Sequence, residues 1–198
     1  MNYGARRPGV PTYIVAILAT CGGCLLVSIV SVALLVNAAI NTAPALLGRA
    51  SVLQAQKRYR EAEALLLTAV RKSPNDADVL NNLAWTYYLD GKFSEGEPYA
   101  VRAIAINSSP SNIDTIAHIH LGLKRYDAAE KEFNKALGLN PNIAESRDGL
   151  GQVYEHRGKF DKALVEYRKA VAANPSIDGT QARIDRLVLA GHGGKGGN

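Results

Sequence analysis

No charged residue stands between Arg7 and Arg49, and that absence rules out a purely soluble single domain. Cysteine is almost missing as well. Cys21 and Cys24 are the only two in 198 residues, and both lie in the apolar stretch, so a disulfide-stapled secreted fold is excluded. A strong charge of one sign is also lacking. The net charge is +5, or +3 once Arg6 and Arg7 are set aside, and it is scattered too thinly to suit nucleic acid. The chain has no HExxH or comparable metal motif and no activated Ser or Cys arrangement.

What fills the gap in charge is a run of apolar residues. Ile14 to Val36 carries only Thr20, Ser28 and Ser31 as polar interruptions. At about 1.5 Å per residue a helix of that length spans roughly 35 Å, enough to cross a hydrocarbon core of about 30 Å. We read residues 1–11 as a basic segment and 12–40 as a single transmembrane helix. A cleaved signal peptide has a shorter apolar core, of about 7–15 residues. Leu18-Ala19-Thr20-Cys21 resembles a lipoprotein box only faintly, because the residues after Cys21 stay apolar. The positive-inside tendency sets Arg6 and Arg7 in the cytoplasm and the C-terminal bulk on the other side, as in a bacterial inner-membrane protein. Cys21 and Cys24 have the spacing of a redox pair, but a thiol in hydrocarbon is poorly ionised, so they read as small packing residues.

Beyond residue 42 the chain repeats itself. Pro141 and Pro175 are 34 apart, and the same pattern precedes each. One copy reads Leu150, Gly151, Tyr154, Gly158, Phe160, Ala163, Tyr167, Ala170, Pro175. The copy before it reads Ile116, Ala117, His120, Lys124, Tyr126, Ala129, Phe133, Ala136, Pro141. An earlier one has Leu83, Ala84, Tyr87, Gly91, Phe93, Gly96, Ala100 and Ala103, with Ser108 in place of the proline. The first recovers from a degraded start with Tyr59, Ala62, Leu66, Ala69 and Pro74. Each copy holds two amphipathic helical runs. Small residues let the runs approach closely, Gly91 and Gly158 suit a left-handed helix cap, and proline ends the second run. A lone pair buries one face only, so such units must stack.

This pattern resembles the tetratricopeptide repeat family over residues 43–175. The resemblance implies an all-α solenoid of helical hairpins, in four copies at about 43–76, 77–109, 110–143 and 144–175. The second copy is a residue short, lacks its proline, and has Gly96 for the usual alanine and Pro98 in what reads as the first turn of its helix. A Ser94-x-x-Glu97 capping box is expected to offset that proline, and the joint after it is expected to be looser or differently angled. Residues 176–190 read as a C-terminal capping helix and 191–198, with five glycines, as a disordered tail.

In this family the first helices of successive repeats line a concave groove that holds a partner's peptide or helix. By position that groove here contains Asp78, Asn81, Trp85, Tyr88, Asp114, His118, Glu145, Asp148, Gln152 and Glu155. Trp85, the only tryptophan, reads either as a binding anchor or as packing between repeats. The family's lysine and arginine clamp for a terminal carboxylate is absent, with Ser111 and Thr115 at the matching places. A ligand that is basic beside an apolar anchor suits the groove better. His118 lies one turn from Asp114, which is metal spacing, but no third ligand is evident, so His118 is read as lining the groove and His120 as a core residue. Gly191-x-Gly193-x-x-Gly196 lacks the strand and helix that a dinucleotide site needs. The expectation is therefore a membrane-anchored adaptor for a protein partner, serving assembly of an envelope complex, without enzymatic activity, cofactor, metal or nucleic acid. The alternative is a self-associating scaffold, a homo-oligomer whose groove is filled by a neighbouring chain.

Overall fold

The computed structural model describes residues 41–192, together with Val32. Among them are nine helices and no strand. They are α1 (Ala43–Ala55), α2 (Tyr59–Lys72), α3 (Ala77–Leu89), α4 (Phe93–Ile106), α5 (Pro110–Gly122), α6 (Tyr126–Leu139), α7 (Ala144–His156), α8 (Phe160–Ala173) and α9 (Thr180–Leu189). The expected span at 12–40 lies, Val32 apart, outside the described residues. Among the described residues no helix is long and apolar enough to cross a membrane.

Consecutive helices pack as hairpins, α1 with α2 through α7 with α8. Helices α1, α3, α5 and α7 also touch one another in succession and form the inner layer. The turn inside each hairpin is the same device four times. Lys57, Gly91, Lys124 and Gly158 take left-handed φ values of 59°, 73°, 59° and 69°. The next amide then reaches back to a carbonyl near the end of the first helix, as in Lys92 N to Tyr87 O and Arg125 N to His120 O, both 2.8 Å. The two glycines behave as expected; the two lysines adopt the conformation without glycine's freedom.

Burial follows the repeat. Ala62, Ala129 and Ala163 are fully buried where the two helices of a hairpin come closest. Gly96 takes that place in α4, where an added Cβ would meet Tyr87 Cβ at 3.0 Å and Ala84 O at 3.1 Å. Between hairpins the core continues without a break. Ala50, Leu66, Leu83 and Tyr87 form one cluster, Ala84, Ala100, Ile116 and Ile119 the next, and Ala117, Phe133, Leu150 and Val153 a third. Each large side chain so buried contributes about 1.5–3 kcal/mol, and none of these clusters is complete within one hairpin.

The second repeat departs from expectation at its helix start. The N-cap of α4 is Lys92 and makes no side-chain cap bond, so Ser94 and Glu97 form no capping box. Glu97 instead pairs with Arg125 of the following turn. Pro98 lies in the second turn of α4, on its exposed side. The shortened joint that follows is tied on both sides. Ser109 caps α5 by accepting from Asn112 N at 3.2 Å, while Asn112 Nδ2 donates to Asn107 O at 2.8 Å.

Helix α9 closes the C-terminal end by burying Ile184 and Leu187 against Leu164 and Tyr167. The tail expected to be unstructured from Gly191 begins with two placed residues. Gly191 has φ 85°, and the His192 ring packs 4.1 Å from that of Phe160. Residues 193–198 lie outside the described residues.

Candidate functional site

Successive inner helices bring their equivalent faces to one side. The ten groove positions divide by depth once that face is formed. Asp78 and Glu145 are exposed, and Asn81, Trp85, Tyr88, Gln152 and Glu155 are half-buried. Asp114, His118 and Asp148 are buried, with 8%, 4% and 7% of their surface accessible. The reading of His118 as lining the groove is corrected here, because it lies beneath the groove floor. Its ring is 5.5 Å edge-on from Trp85, 5.2 Å from Tyr88 and 4.9 Å from Phe133. Trp85 and Tyr88, one turn apart, stack at 4.8 Å.

A cavity of about 540 Å³ opens between α3, α5 and α7. Asn81, Asn82 and Trp85 form one wall, Ser111, Asp114 and Thr115 the floor, and Ile143 and Glu145 the far side. The polar groups here are unevenly satisfied. Among the described residues, Asn81 Oδ1 and both ring nitrogens of His118 are buried without a hydrogen-bond partner. Asp114 accepts a hydrogen bond from Ser146 Oγ, and His118 Nε2 stands 3.6 Å from Asp114 Oδ2. Burial pushes the Asp114 carboxyl above the usual carboxylate range, against the pull of His118 and Ser146, and Glu145 adds to the rise. The Tyr88 phenol is raised first by burial and then by the Asp148 and Asp114 carboxylates, so helices α3, α5 and α7 converge electrostatically at this point.

The C-terminal part of the groove is occupied by the chain itself. Asp148 accepts from Gln152 Nε2 at 2.7 Å, Thr180 Oγ1 at 2.6 Å and Arg183 Nη1 at 3.0 Å. Glu155 accepts from the Tyr167 hydroxyl at 2.8 Å and from Arg186 Nη2 at 2.6 Å. Thr180, Arg183 and Arg186 all belong to α9. The positional reading missed this role, although the sequence held a signal: Thr180 is 34 residues after Ser146 and Arg186 is 34 after Gln152. Helix α9, expected only to cap the array, thus keeps the 34-residue spacing of the inner helices before it. Among the described residues no group of three His, Cys, Asp or Glu could hold a metal ion. His120 is half-buried, with its Nε2 3.5 Å from Glu97.

Two-helix units stacked through their inner helices define an α-solenoid. The tetratricopeptide repeat model matches residues 47–112 and 115–176, and the chain belongs to that family. A curated relative, Hsp70-Hsp90 organizing protein 1 of Glycine max, is 28% identical over 105 residues. That match takes in 52% of this chain and only 18% of the relative's length. Among solved structures, PilF of Pseudomonas aeruginosa superposes with a TM-score of 0.64 at 18% identity, covering 75% of this chain and 68% of that one. MamA superposes with a TM-score of 0.57 at 19% identity, covering 72% and 84%. At these identities the structural likeness concerns the fold. Tetratricopeptide repeat proteins bind protein partners, and membership of the family makes protein interaction the function this chain supports.

Proposed function

We propose that this protein is a membrane-anchored adaptor whose groove, between α3 and α7, holds a peptide or helix of a protein partner. The observation that carries the reading is the open cavity walled by Trp85 and floored by Asp114, with Asn81 Oδ1 buried at its edge and satisfied by no group among the described residues. An aromatic wall supplies area at low entropic cost, and the carboxylates favour a partner that is basic beside an apolar anchor. The apolar run at 12–40 would hold the array at a bacterial inner membrane, on the non-cytoplasmic side, in service of envelope assembly. Tethering raises the effective concentration of such a groove near membrane partners, so modest affinity suffices.

The test uses the full chain in detergent micelles. Partner capture by wild type should be lost in Trp85→Ala while the helical circular-dichroism signal stays unchanged; capture that survives the substitution refutes the groove. Protease applied to intact spheroplasts, with a C-terminal tag, should digest the array, and protection would place it in the cytoplasm.

The self-associating scaffold has one observation in its favour. A recess of about 560 Å³ between α1 and α2, lined by Val52, Leu53 and Leu65, lies at the N-terminal end, with Val52 57% exposed. Concentration-dependent sedimentation of the micellar full chain, suppressed by Val52→Asp, would support it.

A further inference from the structure

The chain displays, one repeat further on, the occupied form of its own open site. Asp114 and Asp148 are 34 residues apart and hold the same place on α5 and α7. Their surroundings correspond residue by residue. Gln152, one turn after Asp148, has His118 as its counterpart. Thr180 of α9 has Ser146 of α7, and the hydroxyl bond to the aspartate is present in both repeats. Arg183, which donates to both oxygens of Asp148 at 3.0 and 3.3 Å, has Gly149 as its counterpart.

The guanidinium is therefore what the earlier site lacks. The chain cannot supply it from that position, because a Cβ at Gly149 would collide with the Phe133 ring. Among the described residues no lysine or arginine pairs with Asp114. Two further observations point to a ligand there. His118 is 96% buried with Nε2 3.6 Å from Asp114 Oδ2, and neither ring nitrogen has a hydrogen-bond partner among the described residues. The cavity between Asn81, Trp85 and Glu145 reaches Asp114.

We infer that Asp114 is the receptor for a guanidinium or ammonium group carried by the partner, which takes at α5 the place that Arg183 takes at α7. The inference rests on the groove reading above and deepens it. A cationic side chain entering past Trp85 sets its apolar stem against the indole and its charge on Asp114, with Glu145 at the rim. A planar guanidinium, with its fork of donors, fits a carboxylate already fixed by a hydroxyl better than a compact ammonium does. At the neighbouring site α9 has already satisfied the equivalent carboxylate, so the partner's charged contact is confined to the α3–α7 part of the groove.

The probe is acetyl-Leu-Arg-Leu-amide, compared with its citrulline isostere, which keeps the shape and removes the charge. Both are titrated into the micellar full chain while Trp85 fluorescence is followed. The arginine peptide should shift the emission and bind at least tenfold more tightly than the citrulline peptide. Asp114→Asn should bring the two to the same weak affinity, and Asp148→Asn should leave the preference intact. Equal binding of the two peptides by wild type overturns the inference without requiring any variant to fold. An arginine preference that survives Asp114→Asn, or is lost only in Asp148→Asn, overturns it too, and in the second case the peptide has displaced Arg183. Failure of the groove itself reads differently, since it appears as partner capture that persists in Trp85→Ala.

Discussion

Arg183 of the last helix grips both oxygens of Asp148, a carboxylate 35 residues earlier with 9% of its side chain accessible. The pair joins α9 to α7 across the concave face and neutralises an acid that the solenoid buries. Removing the arginine strands that charge with only Thr180 and Gln152 to solvate it. Arg183→Ala should therefore cost about 2 kcal/mol, between the values for exposed and fully buried pairs, since the arginine is 30% accessible. Adding Asp148→Asn should recover most of the loss. Urea denaturation of the two variants and their combination measures the coupling.

Asp114 has the opposite character, a buried acid that no arginine among the described residues grips, and its pH dependence follows. Burial raises its folded-state pKa above the ordinary value of 3.8. Between the unfolded and folded values the native chain binds more protons than the unfolded one. The stability linked to this group is thus full below about pH 4 and falls as pH rises through the folded value. Asp114→Asn removes that fall. Urea midpoints of wild type and variant, taken across this range, should diverge in the variant's favour as pH increases; parallel curves would show that the carboxylate is well solvated.

Gly149 is required by contact. Its missing Cβ is the space into which the Phe133 ring fits, and Phe133 is fully buried between α5 and α7. Gly149→Ala should destabilise by about 1–3 kcal/mol, the usual range for overpacking. A smaller ring-position residue, Phe133→Leu, should make the alanine less harmful than it is in wild type. Thermal melts of the single and double variants test this, and strict additivity would mean that the two residues are not in contact.

Two hairpin turns carry lysine where two carry glycine. A residue with a Cβ held in the left-handed region costs about 1–2 kcal/mol, part of which glycine returns as greater freedom of the unfolded chain. Lys57→Gly and Lys124→Gly should each stabilise the array by about 0.5–1 kcal/mol. Urea midpoints report it, with Gly91→Lys expected to shift them in the reverse direction.

The hairpins were legible in the sequence because their determinants are local. Ala129 beside Tyr126, or Gly158 before Phe160, states its role within one turn of helix. Lys57 and Lys124 gave no such signal, since lysine does not favour their conformation and only the matching of repeats points to it. The Ser94–Glu97 spacing misled for a related reason: the left-handed turn at Gly91 makes Lys92 the cap and carries Ser94 inside the helix. The groove residues were assigned by position along the repeat, which carries no information about depth. His118 and Trp85 are equivalent along the repeat, yet one lies beneath the other, because depth depends on how α3, α5 and α7 converge. The engagement of Asp148 by Arg183 was hidden for the same reason. It requires the curvature that sets two helices of different repeats side by side.

The second repeat is one residue shorter than its neighbours, yet every inner helix from α1 to α7 has 13 residues and every outer helix from α2 to α8 has 14. The missing residue was taken from the connection at 107–109. A residue lost within α4 would have rotated everything after it by about 100°, turning Ala100 and Ala103 out of the core and the next inner helix away from the groove. A loop transmits no such rotation. Angular phase is therefore kept by the helices and contour length is absorbed by the joints, so insertions or deletions of a residue or two at 73–76, 107–109 or 140–143 should leave the concave face in register.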